Sequence, residues 1–339
     1  MAGKKTGADS YHFPSAPAIL SFGSAVGKKE GEGPLGQCFD TVCTDTRMGQ
    51  QTWEKAESAL QKAALQTALE GAGLTAGALD VLLAGDLLNQ CITSGYTARD
   101  AAIPLLGLYG ACSTMAESLA LGAMLVDGGF CETLCAMTSS HFCTAERQYR
   151  SPLEYGAQRT PTAQWTATAA GAVILSKTGN GPYLTHATIG TVTDWGIRDA
   201  NNMGAAMAPA AYATLSAHFA DTGRTPADYD LIVTGDLGEL GWQLVRELFR
   251  RDGVELGAQY NDCGRMLFDP KTQDVHCGGS GCGCSAAVLT GHILKEMHRG
   301  RLNRVLFCGT GALHSPTALG QGESVPGICH AVAISNRKE

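Results

Sequence analysis

The sequence predicts an α/β protein made of two copies of one strand–helix unit, and three observations carry that prediction. Asp80-Val81-Leu82-Leu83-Ala84-Gly85-Asp86-Leu87 returns without a gap as Asp230-Leu231-Ile232-Val233-Thr234-Gly235-Asp236-Leu237. Cys112-Ser113 and Cys284-Ser285 each open a helix-like segment that ends at a glycine, Gly128 or Gly300. Each segment leads into an apolar run, Thr133 to Met137 or Val305 to Gly309, so the order of features is the same in both halves.

The elements follow from local pattern. Thr52 to Glu70, Asn202 to Ala220 and Glu239 to Arg251 carry helical periodicity. The runs Leu231 to Thr234 and Val305 to Phe307 are continuously apolar, as parallel strands buried on both faces must be. Two such sheets sharing a layer of helices predict a five-layered sandwich. Gly179-Asn180-Gly181-Pro182 halts regular structure between the copies, which places one half at 1–178 and the other at 179–339.

Composition narrows the function classes. Of 339 residues, 44% are hydrophobic and 17% charged, enough apolar content for two core-forming units. A net charge of −7 leaves no basic stripe for a row of phosphates, so nucleic acid is excluded as a partner. Met1 to Phe13 has no apolar stretch behind Lys4 and Lys5, and Ala116 to Val126 is too short to span a bilayer, so a cytoplasmic protein is expected. The 13 cysteines are read as small buried apolar residues rather than a disulfide framework. Gly27 to Gly49, with Lys28, Lys29, Glu30 and Glu32, reads as an exposed, solvated loop.

Gly107-Leu108-Tyr109-Gly110-Ala111-Cys112-Ser113-Thr114 reads as a strand, a tight turn and the start of a helix over Met115 to Val126. A cysteine there meets free backbone N–H groups and the positive end of the helix dipole. Duplicated halves with a cysteine at such an elbow resemble the thiolase and 3-oxoacyl synthase superfamily, whose members condense acyl thioesters. The resemblance implies a thiolase-like fold, with Cys112 in the place of the nucleophile. That chemistry also needs histidines, one to stabilise the oxyanion and one to handle the proton or departing carboxylate. The Gly-His-x-x-Gly-Ala turn corresponds to Gly279-Ser280-Gly281-Cys282-Gly283-Cys284, and the His-Gly-Thr-Gly-Thr motif falls near Thr234-Gly235-Asp236-Leu237-Gly238. Neither segment contains a histidine.

Across almost the whole chain the sequence resembles the stage V sporulation protein AD family. Gly110-Ala111-Cys112-Ser113-Thr114, Ser139-Ser140-His141, Glu154-Tyr155-Gly156, Pro161-Thr162-Ala163-Gln164-Trp165-Thr166 and Thr310-Gly311-Ala312-Leu313-His314-Ser315-Pro316-Thr317 carry the likeness. It implies a non-catalytic subunit of the SpoVA apparatus that binds dipicolinic acid, pyridine-2,6-dicarboxylate, for uptake into the developing spore. Further implications are SpoVA membrane proteins as partners, a place at the spore inner membrane, calcium as counter-ion of the ligand, no cofactor, and a homodimer as in the superfamily.

Two carboxylates on a flat ring need converging donors and an apolar slot. Cys112, Ser139, Ser140, His141, Thr310 and His314 are the expected ligand residues. By the internal repeat, the serines and His141 occupy a strand end equivalent to that of Thr310 and His314, and the superfamily pattern brings such loops towards Cys112. Arg147, Arg150 and Arg159 are assigned to solvent or to salt bridges with Glu146 or Glu154, and Gln164 and Trp165 to either the pocket or a loop anchor. His276, Cys277, Cys282 and Cys284 lack zinc spacing, and Gly278-Gly279-Ser280-Gly281 lacks the lysine of a phosphate loop and reads as a tight turn. Two alternatives remain: an acyltransferase using Cys112 with His141 or His314 as base, and a scaffold that only docks membrane proteins.

Overall fold

The structure, a computed structural model, describes residues 4–150 and 159–339. The Glu154-Tyr155-Gly156 motif and the pairings considered for Glu154 lie outside the described residues. The first half runs β1 (Ala18–Gly27), α1 (Trp53–Ala72), β2 (Val81–Gly85), α2 (Ile92–Ala101), β3 (Leu105–Gly107), α3 (Thr114–Asp127), β4 (Thr133–Ser140), α4 (Phe142–Tyr149) and β5 (Ala169–Ser176). The second runs β6 (Tyr183–Ile189), α5 (Met203–Thr222), β7 (Leu231–Thr234), α6 (Gly238–Arg251), β8 (Tyr260–Asp262), α7 (Cys282–Val288), β9 (Arg304–Ala312) and β10 (Gly327–Ser335).

Both halves have one topology. Strand order is β3-β2-β4-β5-β1 in the first and β8-β7-β9-β10-β6 in the second, and the two five-stranded paths meet at the single pair Ala18–Tyr183. In each, the second strand pairs in parallel with the third and fourth, while the fifth runs antiparallel to its neighbours. The repeated octapeptides supply β2 and β7. Their leading aspartates make matching bonds: Asp80 accepts from the N–H groups of Glu132 and Thr133, and Asp230 from those of Asn303 and Arg304. Each carboxylate therefore ties the start of the second strand to the start of the fourth.

Alternate strand residues separate into layers. Leu83, Leu134, Ala136 and Val173 share a core with Val233, Phe307 and Val332, and α3 and α7 lie within that shared core through Met115, Leu119, Ala286 and Val288. The opposite face of the first sheet, with Leu82, Cys135 and Ile174, packs on α1 through Leu60, Ala64 and Leu65. The opposite face of the second, with Ile232, Leu306 and Ala331, packs on α5 and α6 through Met207, Leu215 and Val245. The result is the five-layered order of helix, sheet, helix, sheet, helix. Thr52 Oγ1 caps α1 and Asn202 Oδ1 caps α5, and Gly73 and Gly223 end them at φ of 65° and 67°, values open to glycine without strain.

Two expectations need correction. The Gly27–Gly49 segment is not wholly solvated: Lys28–Gly31 forms a helical turn, Thr41–Cys43 pairs with β1, and Glu30 is buried, its carboxylate accepting the Thr168 N–H at 2.9 Å. Gly279–Ser280 is more than a turn, since it pairs in parallel with Trp165–Thr166. Among the described residues, no helix is long and apolar enough to cross a membrane.

Candidate functional site

The site is built where α3 begins. Chain leaving β3 turns through Ala111–Ser113 into α3, with Ala111 held at φ 49°, a left-handed conformation unusual for alanine. Ser113 Oγ donates to Gly110 O at 2.6 Å and Thr114 Oγ1 to Ala111 O at 2.7 Å, fixing the turn. Strand β9 of the other half passes directly behind: a Cβ on Gly311 would lie 2.4 Å from Gly110 O, and one on Gly309 2.8 Å from Ser113 O. Cys112 thus sits at the seam between the halves.

A cavity opens in front of it and reaches solvent, with about 570 Å³ of atom-free space when its open mouth is counted. Leu87, Ala145, Met203 and Ala312 give it apolar walls, and Cys112, Glu146, Arg150, Gln164, Ser280 and His314 are among its polar lining. Eight buried side-chain polar atoms among the described residues have no hydrogen-bond partner, and three of them, Glu146 Oε2, Gln164 Oε1 and His314 Nδ1, belong to this lining. Unpaired polar atoms are costly inside a protein, about 1–3 kcal/mol each, so three in one lining set this cavity apart from the rest of the described interior.

Asp236 closes the inner side. Its carboxylate accepts from Gly281 N at 2.9 Å, Ser280 Oγ at 3.2 Å and Thr310 Oγ1 at 2.8 Å. Gln164 Nε2 donates to Asp236 O at 2.7 Å and to Gly279 O at 2.8 Å, joining the Trp165 segment to both glycine-rich turns. Complete burial lifts the Asp236 carboxyl to about 6, against the pull of these donors and of the Cys112 thiol. Burial, and then the Asp236 carboxylate, push the Cys112 thiol well above its ordinary range. The helix start alone would favour a thiolate; here a fully buried site with a carboxylate neighbour keeps the proton on sulfur.

The expected ligand residues divide into two groups. Cys112 and His314 line the cavity together, and Thr310 stands behind them on Asp236. Ser139, Ser140 and His141 are elsewhere. Ser139 Oγ donates to Glu57 Oε1 at 2.8 Å and accepts from Gln61 Nε2, facing α1. Ser140 Oγ donates to Ala167 O and accepts the Gly283 N–H at the start of α7. His141 caps α4 by accepting the Cys143 N–H on Nδ1, leaving Nε2–H to donate to Thr46 O at 2.9 Å. The reason is the two-fold relation itself. Each fourth strand ends against the central helix of the opposite half, so equivalent strand ends meet different helix starts.

Arg150 makes the expected salt bridge to Glu146, Nε to Oε2 at 3.4 Å, and it also lines the cavity, which that assignment did not include. The other two take partners that were not expected: Arg147 pairs with Glu54 on α1 and Arg159 with Asp274. The i,i+4 spacing of Glu146 and Arg150 on one helix face is what made their pair legible. Asp236 was also missed as a site residue, although it is the second aspartate of the repeated octapeptide. Of the cysteine–histidine cluster, His276 faces Asp274, Cys277 donates to Pro161 O and Cys282 to Ser139 O, so its members point to different partners.

Solved structures with the same architecture include Xanthomonas campestris OleA, at 12% identity and a TM-score of 0.64 over 94% of this chain and 96% of that one. 3-oxoacyl-[acyl-carrier-protein] synthase III from Aquifex aeolicus matches at 10% identity and a TM-score of 0.56, covering 94% of this chain and all of the other. These likenesses establish a thiolase-like fold. Stage V sporulation protein AD of Bacillus subtilis is 47% identical over 331 residues, 98% of each chain. The sequence profile described as "Stage V sporulation protein AD (SpoVAD)" matches residues 7–335, and the chain belongs to that family.

Proposed function

We propose that the cavity beside Cys112 holds dipicolinate without transforming it, and that the protein serves the uptake of this ligand into the developing spore alongside membrane partners of the SpoVA apparatus. The observation that carries the reading is the carboxylate of Asp236 next to Cys112. Condensing chemistry needs imidazole or an equivalent donor there, to stabilise an oxyanion and accept a proton. A buried carboxylate would repel a developing oxyanion, and it holds the thiol in its unreactive form. Binding has better support. Apolar walls suit a flat ring, Arg150 offers a guanidinium to one carboxylate, and His314 brings an imidazole to the same cavity.

Self-association belongs to the same proposal. Strand β3 is a sheet edge that exposes Leu105 and Leu106, with Tyr109 exposed just beyond, and a second copy pairing there would cover it close to the cavity mouth. The acyltransferase reading keeps one supporting observation: His314 shares the cavity with Cys112, and burial together with Arg150 holds its imidazole neutral, the form a base requires.

Calorimetric titration of the purified chain with pyridine-2,6-dicarboxylate tests the proposal. The expected affinity lies between about micromolar and millimolar. Arg150→Ala should weaken it at least about tenfold, through loss of a charge-assisted bond. Absence of heat at millimolar ligand would remove dipicolinate as the guest.

A further inference from the structure

Glu146 and Arg150 stand one turn apart at the end of α4, and both face the cavity. Their pairing is loose. The separation of 3.4 Å exceeds the 2.7–2.9 Å or so of a strong charge-assisted bond, and Glu146 Oε2 is buried with no hydrogen-bond partner among the described residues. Glu146 is only 5% exposed. Burial raises its carboxyl above the usual range, and Arg150 and then Arg159 oppose the rise.

The charged and titratable groups around Glu146 can be named from each direction. Cys143, Tyr149 and Arg150 share its helix, and Arg159 approaches from the segment before Trp165. His314 faces the cavity from the loop after β9, Cys112 from the elbow, and Asp236 lies behind Ser280. Arg159 reaches Asp274 through Nη2 and does not line the cavity, while its buried Nη1 has no hydrogen-bond partner among the described residues. Among the described lining residues, Arg150 is therefore the one permanent cation that a guest carboxylate can recruit.

Resting on the reading of this cavity as a dicarboxylate site, we propose that the guest takes Arg150 away from Glu146, and that Glu146 then accepts a proton from solvent. Binding and proton uptake are thereby one event. No bond of the guest breaks; a proton moves from water or buffer to the Glu146 carboxylate as the guanidinium changes partner. The alternative leaves an ionised carboxylate beside apolar Ala145 and Leu87, facing a new anion after losing the nearer of its two cations, which burial makes unfavourable. A protonated Glu146 also gains an O–H donor, which an incoming carboxylate can use.

The test is titration of the full chain with pyridine-2,6-dicarboxylate and, separately, pyridine-2-carboxylate, each at pH 7 in two buffers of very different ionisation enthalpy. The buffer dependence of the heat counts protons. The expected uptake is about 0.5–1 proton per ligand, and affinity should fall as pH rises, by up to about tenfold per pH unit. Glu146→Gln should reduce the uptake to near zero and bind better than the parent at pH 8, whereas His314→Asn should keep it. Equal heats in both buffers, or uptake that survives in Glu146→Gln, would overturn the exchange and leave the binding site standing. No heat with either ligand would overturn both.

Discussion

Asp236 follows Gly235 in the segment where the superfamily pattern calls for a histidine, and its carboxylate gathers Gly281, Ser280 and Thr310 around Cys112. The cysteine was legible in the sequence because glycines, a strand and a helix bracket it locally. Asp236 was not, because its partners stand 45 and 74 residues away and only the folded sheets bring them together. The same distance problem misplaced Ser139, Ser140 and His141. Each ends a strand as expected, but only the crossing of strand ends to the opposite half decides which helix start they meet. One consequence can be measured. Asp236→Asn removes the negative charge while keeping an oxygen acceptor, so the Cys112 thiol should become more acidic and alkylate faster with iodoacetamide at pH 8. The gain expected is about three- to fourfold for each unit by which the thiol's pKa falls, because the larger thiolate fraction is partly offset by lower nucleophilicity. An unchanged rate, with Cys112 identified as the labelled site, would mean that Asp236 does not control the thiol.

Elements were legible where periodicity is long and caps are explicit. The expected helix from Thr52 to Glu70 became Trp53–Ala72, and that from Asn202 to Ala220 became Met203–Thr222; each is capped by a polar side chain and stopped by a left-handed glycine. Helix α4 was hidden because it is short and polar, with only Thr144, Ala145 and Glu146 buried. Strand β9 shows what its glycines are for. Gly309 and Gly311 let the strand pass against the elbow of the other half, where any Cβ would meet backbone. Gly311→Ala should therefore push the Gly110–Ser113 turn outward, destabilise the fold by about 1–3 kcal/mol in urea unfolding, and weaken ligand binding as Cys112 shifts. A variant with unchanged midpoint and affinity would show that the elbow has slack.

The whole molecule is a pair of matching sheets around two central helices, and its cavity exists only because residues from both halves close on it: Cys112, Glu146 and Arg150 from the first, Ser280, Ala312 and His314 from the second. Repetition made that architecture readable, since gapless octapeptides and paired cysteines keep their order along the chain. The direction of the second-half loops was not readable, because no local pattern specifies contacts across a seam. A shared architecture with condensing enzymes sets the sharpest question, whether the thiol at the elbow still reacts. Mass spectrometry of the intact chain after incubation with acyl coenzyme A answers it. An unmodified mass for Cys112, with no thioester consumed, is the result expected of a cavity that only holds its guest. An acyl adduct on Cys112 that forms and turns over would contradict it.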